Sequence, residues 1–284
     1  MSSNLLHAIS EEDLKSIKKA KIDMENIGFV MKGLNKIGST LETGINKIPA
    51  KQQQWLQKQV NKSLTLVVKS NLATMQKGKA FKKPSNKTYK ALVTTTGVAS
   101  GLFGSATGFG TAIFASELAV STKFMMRSIL DIARSHGEDL QDFDTQLACM
   151  QVFALGGASK DDDGLETSYY TMRMTLGSVA KTASNYVAKN GVQGLNKILA
   201  ESTNPLVKLI AVIAARYSVQ VSEKFVAQAI PIMGAVGGGT INLVFINHFQ
   251  NIAKAHFTIR KLERKYGNDL VMSTYNNIKL HRTN

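Results

Sequence analysis

The sequence predicts an all-α protein: a single multi-helix bundle domain with two glycine-rich apolar helical hairpins. Three observations carry that prediction. Prolines stand only at 49, 84, 205 and 231 of the 284 residues, so long segments are free to be helical and the prolines fall between them. Apolar residues recur at steps of three, four and seven, the pattern of one helix face. No stretch sustains the two-residue alternation of a half-buried strand. A chain of this length buries a core without staples, and the single cysteine, Cys149, excludes an internal disulfide.

Residues 1–48 read as a basic amphipathic N-terminal helix and residues 49–284 as the helical domain. In the first, Leu14, Ile17, Met24, Ile27, Met31, Leu34, Ile37, Leu41, Ile45 and Ile48 share one face. Lys15, Lys18, Lys19, Lys32, Lys36 and Lys47 lie mostly off it, as expected of a helix resting on anionic lipid. The same face also suits core packing, and the spacing leaves both readings open. Pro49 ends the helix. A second amphipathic helix runs through Leu56, Val60, Leu64, Val67 and Leu72, and the lysine-rich run from Lys77 to Pro84 reads as a loop. Leu165, Tyr169, Met172, Leu176, Val179, Ala183, Tyr186 and Val187 form another helical face. Asn204-Pro205 opens a further helix through Leu209, Ile210, Val212, Ile213 and Tyr217.

Two long stretches carry no charge. From Ala91 to Ser116 there are 26 such residues, with Gly97, Gly101, Gly104 and Gly108 paired at intervals of four. Small residues at that spacing let helix backbones approach closely. The second stretch, Phe225 to Asn247, contains Gly234, Gly237, Gly238 and Gly239. Either is long enough to span a bilayer, but Gly, Ser and Thr in the first, and Gln228, Pro231 and Asn242 in the second, make poor lone spans. Two half-length helices broken at the glycines suit both better, as a buried core element or as a re-entrant membrane insert. At an offset of 130 residues Gly104, Gly108, Ile129, Arg134, Gly137, Asp139 and Leu140 fall on identical residues. That suggests an internal pseudo-repeat, or two helix ends that share a glycine C-cap followed by an aspartate able to cap the next helix.

These residues resemble the EcsC family. One block is the glycine-rich run 97–110, then Glu117, then Ala-Arg-Ser-His-Gly-Glu-Asp-Leu at 133–140; the other is Ile-Pro-Ile-Met-Gly-Ala-Val-Gly-Gly-Gly-Thr-Ile-Asn at 230–242, then Arg-Lys-Tyr-Gly at 264–267. The likeness covers roughly residues 50–275, with Glu117 where family members usually carry Asp. It implies an all-helical domain found in bacteria, sometimes encoded beside an ABC transporter, with no established activity.

Familiar chemistry fails on named residues. Phe103 stands where a dinucleotide-binding glycine pattern needs Gly, and no strand–helix alternation surrounds it. Gly234 to Gly239 lacks the Lys-Ser/Thr of a P-loop. Asp161, Asp162, Asp163 and Glu166 do not alternate as a calcium loop requires. His248 and His256 have no partner at metal-ligand spacing, and Cys149 sits in an apolar face. No cofactor, metal or catalytic group is expected. One polar constellation stands in apolar context, with Glu117 and Asn242 in or beside the uncharged runs and Arg216 as a candidate partner for Glu117.

The charge of +15 is spread as +11 over residues 1–90, −5 over 91–180 and +9 over 181–284. Such a field attracts polyanions, but aromatics make up only 7% and no nucleic-acid motif is present, so sequence-specific nucleic-acid binding is not expected. The chain opens without a basic region and apolar run, which places it in the cytoplasm. The expected function is an accessory or scaffold protein on the inner membrane face, with anionic lipid and a membrane protein such as an ABC transporter as partners. A membrane-inserting, pore-forming effector and a hydrolase built around Glu117 and Arg216 are the alternatives. Oligomeric state is left open.

Overall fold

The computed structural model describes residues 9–25, 48–76, 108–155, 169–190, 199, 203–229 and 231–280. They form eight packed helices and no strand: α1 (Glu11–Glu25), α2 (Ala50–Gln76), α3 (Gly108–Ser135), α4 (Phe143–Leu155), α5 (Tyr169–Asn190), α6 (Pro205–Ala229), α7 (Pro231–Tyr266) and α8 (Asn268–Asn277).

Local chemistry sets the helix ends. The Ser10 hydroxyl accepts from the Asp13 amide at 3.2 Å and caps α1, with three acids in the first turn. Pro49 precedes α2 and its carbonyl accepts from Gln52 and Gln53. Asn204 caps α6 through the Leu206 amide at 2.9 Å, with Pro205 at the first helical position. The glycines after α3 and α7 both take positive φ, 81° at Gly137 and 88° at Gly267, where a side chain would be strained. The aspartate that caps α4 is Asp142, accepting from Asp144 and Thr145, and not Asp139, which accepts from Gln141 within the turn. Asp139 is too far upstream of the first helical amides to reach them. Asp269 lies inside the first turn of α8.

The expected faces are the buried ones. Leu56, Val60, Leu64 and Val67 of α2, Leu176 and Ala183 of α5, and Leu209, Ile213 and Tyr217 of α6 are all buried. In α1, Ile17 and Met24 of the expected face are buried together with Ala20, while Leu14 is exposed; the helix packs on α7 and α8, so most of this part of the face serves the core. The rest of the predicted first helix, with Lys32, Lys36 and Lys47, lies outside the described residues.

α6 sits at the centre, against α2, α4, α5 and α7. α2, α3 and α7 run parallel, with α3 against both of the others. The α3–α7 register is fixed by Gln250 donating to the Ser128 hydroxyl at 2.8 Å and by Thr258 against His136 at 3.3 Å. α6 runs antiparallel to α7, with Tyr217 against Phe249 and Lys224 beside Phe245. The uncharged second stretch does not break at its glycines: α7 continues through Gly234, Gly237, Gly238 and Gly239, and the break falls between Ala229 and Pro231. Proline, which cannot continue a helix from upstream, decides the position. Gly97, Gly101 and Gly104 lie outside the described residues, while Gly108 opens α3.

Candidate functional site

Two groups of ionisable side chains sit at opposite ends of α3, about 27 Å apart along a helix that rises about 1.5 Å per residue. The first lies near the start of α3. Glu117 is 4% exposed and Lys224, from α6, is 0% exposed. Lys224 Nζ donates to Glu117 Oε1 at 2.6 Å, and Gln228, one turn further on α6, donates to Oε2 at 3.3 Å. The ammonium lies 5.7 Å from the ring centre of Phe114 and 4.9 Å from that of Phe245. Phe114, Phe225 and Trp55 extend this aromatic wall. Charges so far from water persist only when paired and bonded.

The partner of Glu117 therefore differs from the one expected. Arg216 lies two turns earlier on α6 and donates through Nε to the Ala154 carbonyl at 3.1 Å, bonding the end of α4. Asn242 is fully buried on α7, three residues before the Phe245 that walls the pair. Lys224 went unseen because Glu223-Lys224 reads as a solvated charge pair at the edge of an uncharged run. Helix phase separates the two: Lys224 turns inward, while Glu223 is half-buried with its Oε2 out of water and without a hydrogen-bond partner among the described residues. Burial pushes the Glu223 carboxyl up to about 7.

The second group surrounds the α3–α4 turn. Gly137, Glu138, Asp139, Asp142, Thr145, Arg173, Arg260, Glu263 and Arg264 line an open cleft of about 460 Å³. Arg260 grips Glu138 with two bonds, of 2.9 and 2.8 Å, and Arg264 bonds both Glu138 and the His136 carbonyl. Arg173 of α5 grips Glu263 with two bonds of 2.6 Å, and Tyr170 donates to the same carboxylate at 2.9 Å. Behind them Tyr169 bonds the fully buried His256 at 2.9 Å. Planar guanidinium–carboxylate forks of this kind fix orientation as well as distance.

The electrostatics leave this cluster a rigid tie. Burial raises the Glu138 carboxyl, but the bonds and charges of Arg260 and Arg264 outweigh it and hold the group below its ordinary range. Burial pushes the Tyr169 and Tyr170 phenols up and the His256 imidazole well down, and it pushes the Cys149 thiol up. The phenols and the thiol therefore stay protonated at neutral pH and His256 stays uncharged. None of these groups is tuned to exchange a proton near pH 7. Among the described residues no three His, Cys, Asp or Glu side chains are placed to hold a metal ion. Glu138 and Arg264 belong to two separate motifs in the sequence, and only the fold brings them together. The signal was present, since both motifs put a charge within three residues of the glycine that ends a helix.

Lys15, Lys18 and Lys19 are exposed on α1, which is fastened at the cleft end of the bundle: Asp13 accepts from Lys265 at 2.7 Å and from Tyr266 at 2.6 Å. Those bonds, from Lys265 first, lower the Asp13 carboxyl to about 2.

Comparison with protein families matches residues 11–262 to the EcsC protein family, and the chain belongs to that family. The match takes in α1 and both glycine-rich runs but stops before Arg264-Lys265-Tyr266-Gly267, so it begins and ends earlier than the expected 50–275. No curated protein and no solved structure matches the chain.

Proposed function

We propose that this EcsC-family chain is a peripheral membrane protein. It works as an accessory or scaffold on the cytoplasmic face, with anionic lipid as its first partner and an integral membrane protein such as an ABC transporter as its second. One observation carries the reading. The parallel helices α2, α3 and α7 expose no carboxylate over most of their length. α2 contains no Asp or Glu, α3 has only the buried Glu117 before Asp131, and α7 has none before Glu263. From Thr111 to Thr122 and from Thr240 to Ala253 the exposed residues of α3 and α7 are uncharged, with Val120 and Leu243 among them. A surface that is neutral along the early turns of α3 and α7, basic along α2 and free of exposed acids over most of its length suits an anionic bilayer.

The pore-forming alternative draws on α6, which is long and apolar enough to cross a membrane. That helix is also the centre of the bundle and carries Lys224 into a dry ion pair, so insertion requires the core to open. The hydrolase alternative needs a reachable carboxylate, whereas Glu117 is held out of water by Lys224 and Gln228.

Co-sedimentation tests the reading. The intact chain should pellet with vesicles containing phosphatidylglycerol at low salt, pellet far less with pure phosphatidylcholine, and be released as salt rises. A chain that stays in the supernatant with both vesicle types at low salt is not the protein described here.

A further inference from the structure

α2 carries a row of positive charge. Its lysines stand at 51, 58, 62 and 69. Steps of seven, four and seven bring all four to one side of the helix within about 20°, in a row about 27 Å long at about 1.5 Å per residue. Lys51, Lys58 and Lys62 are exposed and Lys69 half-buried. None has an ion-pair partner among the described residues, whereas Lys19 on α1 is spent on Asp23 at 2.6 Å. The opposite side of α2, through Leu56, Val60, Leu64 and Val67, is the one buried in the core, so the row faces outward by the same periodicity. Two large apolar side chains flank it. Leu66 is 58% exposed, and Trp55 is half-buried with one edge against Phe114 and Phe225.

We infer that the outer side of α2 is the element that docks on the bilayer, with Lys51, Lys58, Lys62 and Lys69 meeting the phosphates of anionic lipid while Leu66 and Trp55 settle among the headgroups. The inference rests on the membrane reading above and moves the lipid contact from α1 to α2. Charge decides this. α1 carries Glu11, Glu12, Asp13, Asp23 and Glu25 against four lysines, whereas no acid on α2 offsets its row. The exposed Leu66 within the row favours a lipid surface over a nucleic acid, whose phosphates offer an aliphatic side chain nothing to bury against.

Trp55 is the sole tryptophan, so its fluorescence reports on α2 alone. With vesicles of three parts phosphatidylcholine to one part phosphatidylglycerol, brominated acyl chains should quench Trp55 in the intact protein. The triple variant Lys51→Gln, Lys58→Gln, Lys62→Gln should bind about 100-fold more weakly, at roughly fivefold per lysine, while keeping the wild-type melting temperature. The matched variant Lys15→Gln, Lys18→Gln, Lys19→Gln removes the same charge from α1 and should bind within about threefold of wild type. If the wild type binds vesicles without Trp55 quenching, or if the two triple variants weaken binding equally, α2 is not the docking element, although the membrane reading stands. Absence of any vesicle binding, or displacement of vesicles by random-sequence duplex DNA at equal phosphate, removes both.

Discussion

Both ends of α3 hold a carboxylate against cations, under opposite conditions. Glu117 meets one lysine inside an aromatic wall, with both partners out of water. Glu138 meets two arginines at the rim of an open cleft, with Arg264 nearly half exposed. The dry pair loses the hydration of two ions and regains it only through close geometry, so its net stabilisation is small although its breakage is costly. The wet cluster is partly hydrated, and its value lies in holding the α3–α4 turn to α7 while Arg173 and Glu263 hold α5 to α7. The comparison teaches that one residue pairing can set register in a core and fasten a surface turn.

The largest expected effect is at the dry end. Glu117→Gln leaves the Lys224 ammonium buried without a counter-charge and should cost about 3–5 kcal/mol in urea unfolding. The double variant Glu117→Leu, Lys224→Met should recover most of that, because it removes both ions and keeps apolar volume. A double variant as weak as the single one breaks the distinction between the two ends.

At the wet end, Glu138→Gln should cost about 2 kcal/mol at pH 7, since hydrogen bonds from charged donors are lost while water can partly replace them. The folded state holds Glu138 below its ordinary range. Its contribution is therefore present above the unfolded carboxyl range and is lost as pH falls through the folded value. Melting curves should show the wild type losing stability below about pH 4.3 and the variant losing less.

Gly137→Ala forces a side chain onto φ 81° and should lower stability by about 1 kcal/mol in the same assay. An effect that appears only above the ordinary carboxyl range belongs to Glu223, whose carboxyl is raised to about 7 by burial. The unfolded chain ionises first as pH rises, so the native state loses stability between the ordinary carboxyl range and about 7. Glu223→Gln should match wild type at pH 4 and exceed it at pH 8 by roughly 2–3 kcal/mol. Equal melting temperatures at pH 8 remove the assignment.

How much of this was legible in the sequence varied with the kind of signal. Periodicity located the buried faces of α2, α5 and α6, because burial on one side of a helix writes itself as spacing. Capping chemistry located Gly137, Gly267 and Asn204. The dry pair was half legible: an acid beside an uncharged run announced Glu117, but Lys224 sits next to Glu223, and no spacing rule says which of two adjacent charges turns inward. The Glu138–Arg260–Arg264 cluster joins residues more than a hundred positions apart, and nothing local connects them. The break falls at Pro231 and not at the glycines because glycine weakens a helix without blocking it, while proline cannot continue one.

Fractionation of native cells directly tests the proposed attachment to the membrane through a surface free of exposed acids. The protein should pellet with membranes at low salt and return to the supernatant after a high-pH wash. Recovery wholly in the soluble fraction at low salt, or retention in the pellet after the wash, contradicts it.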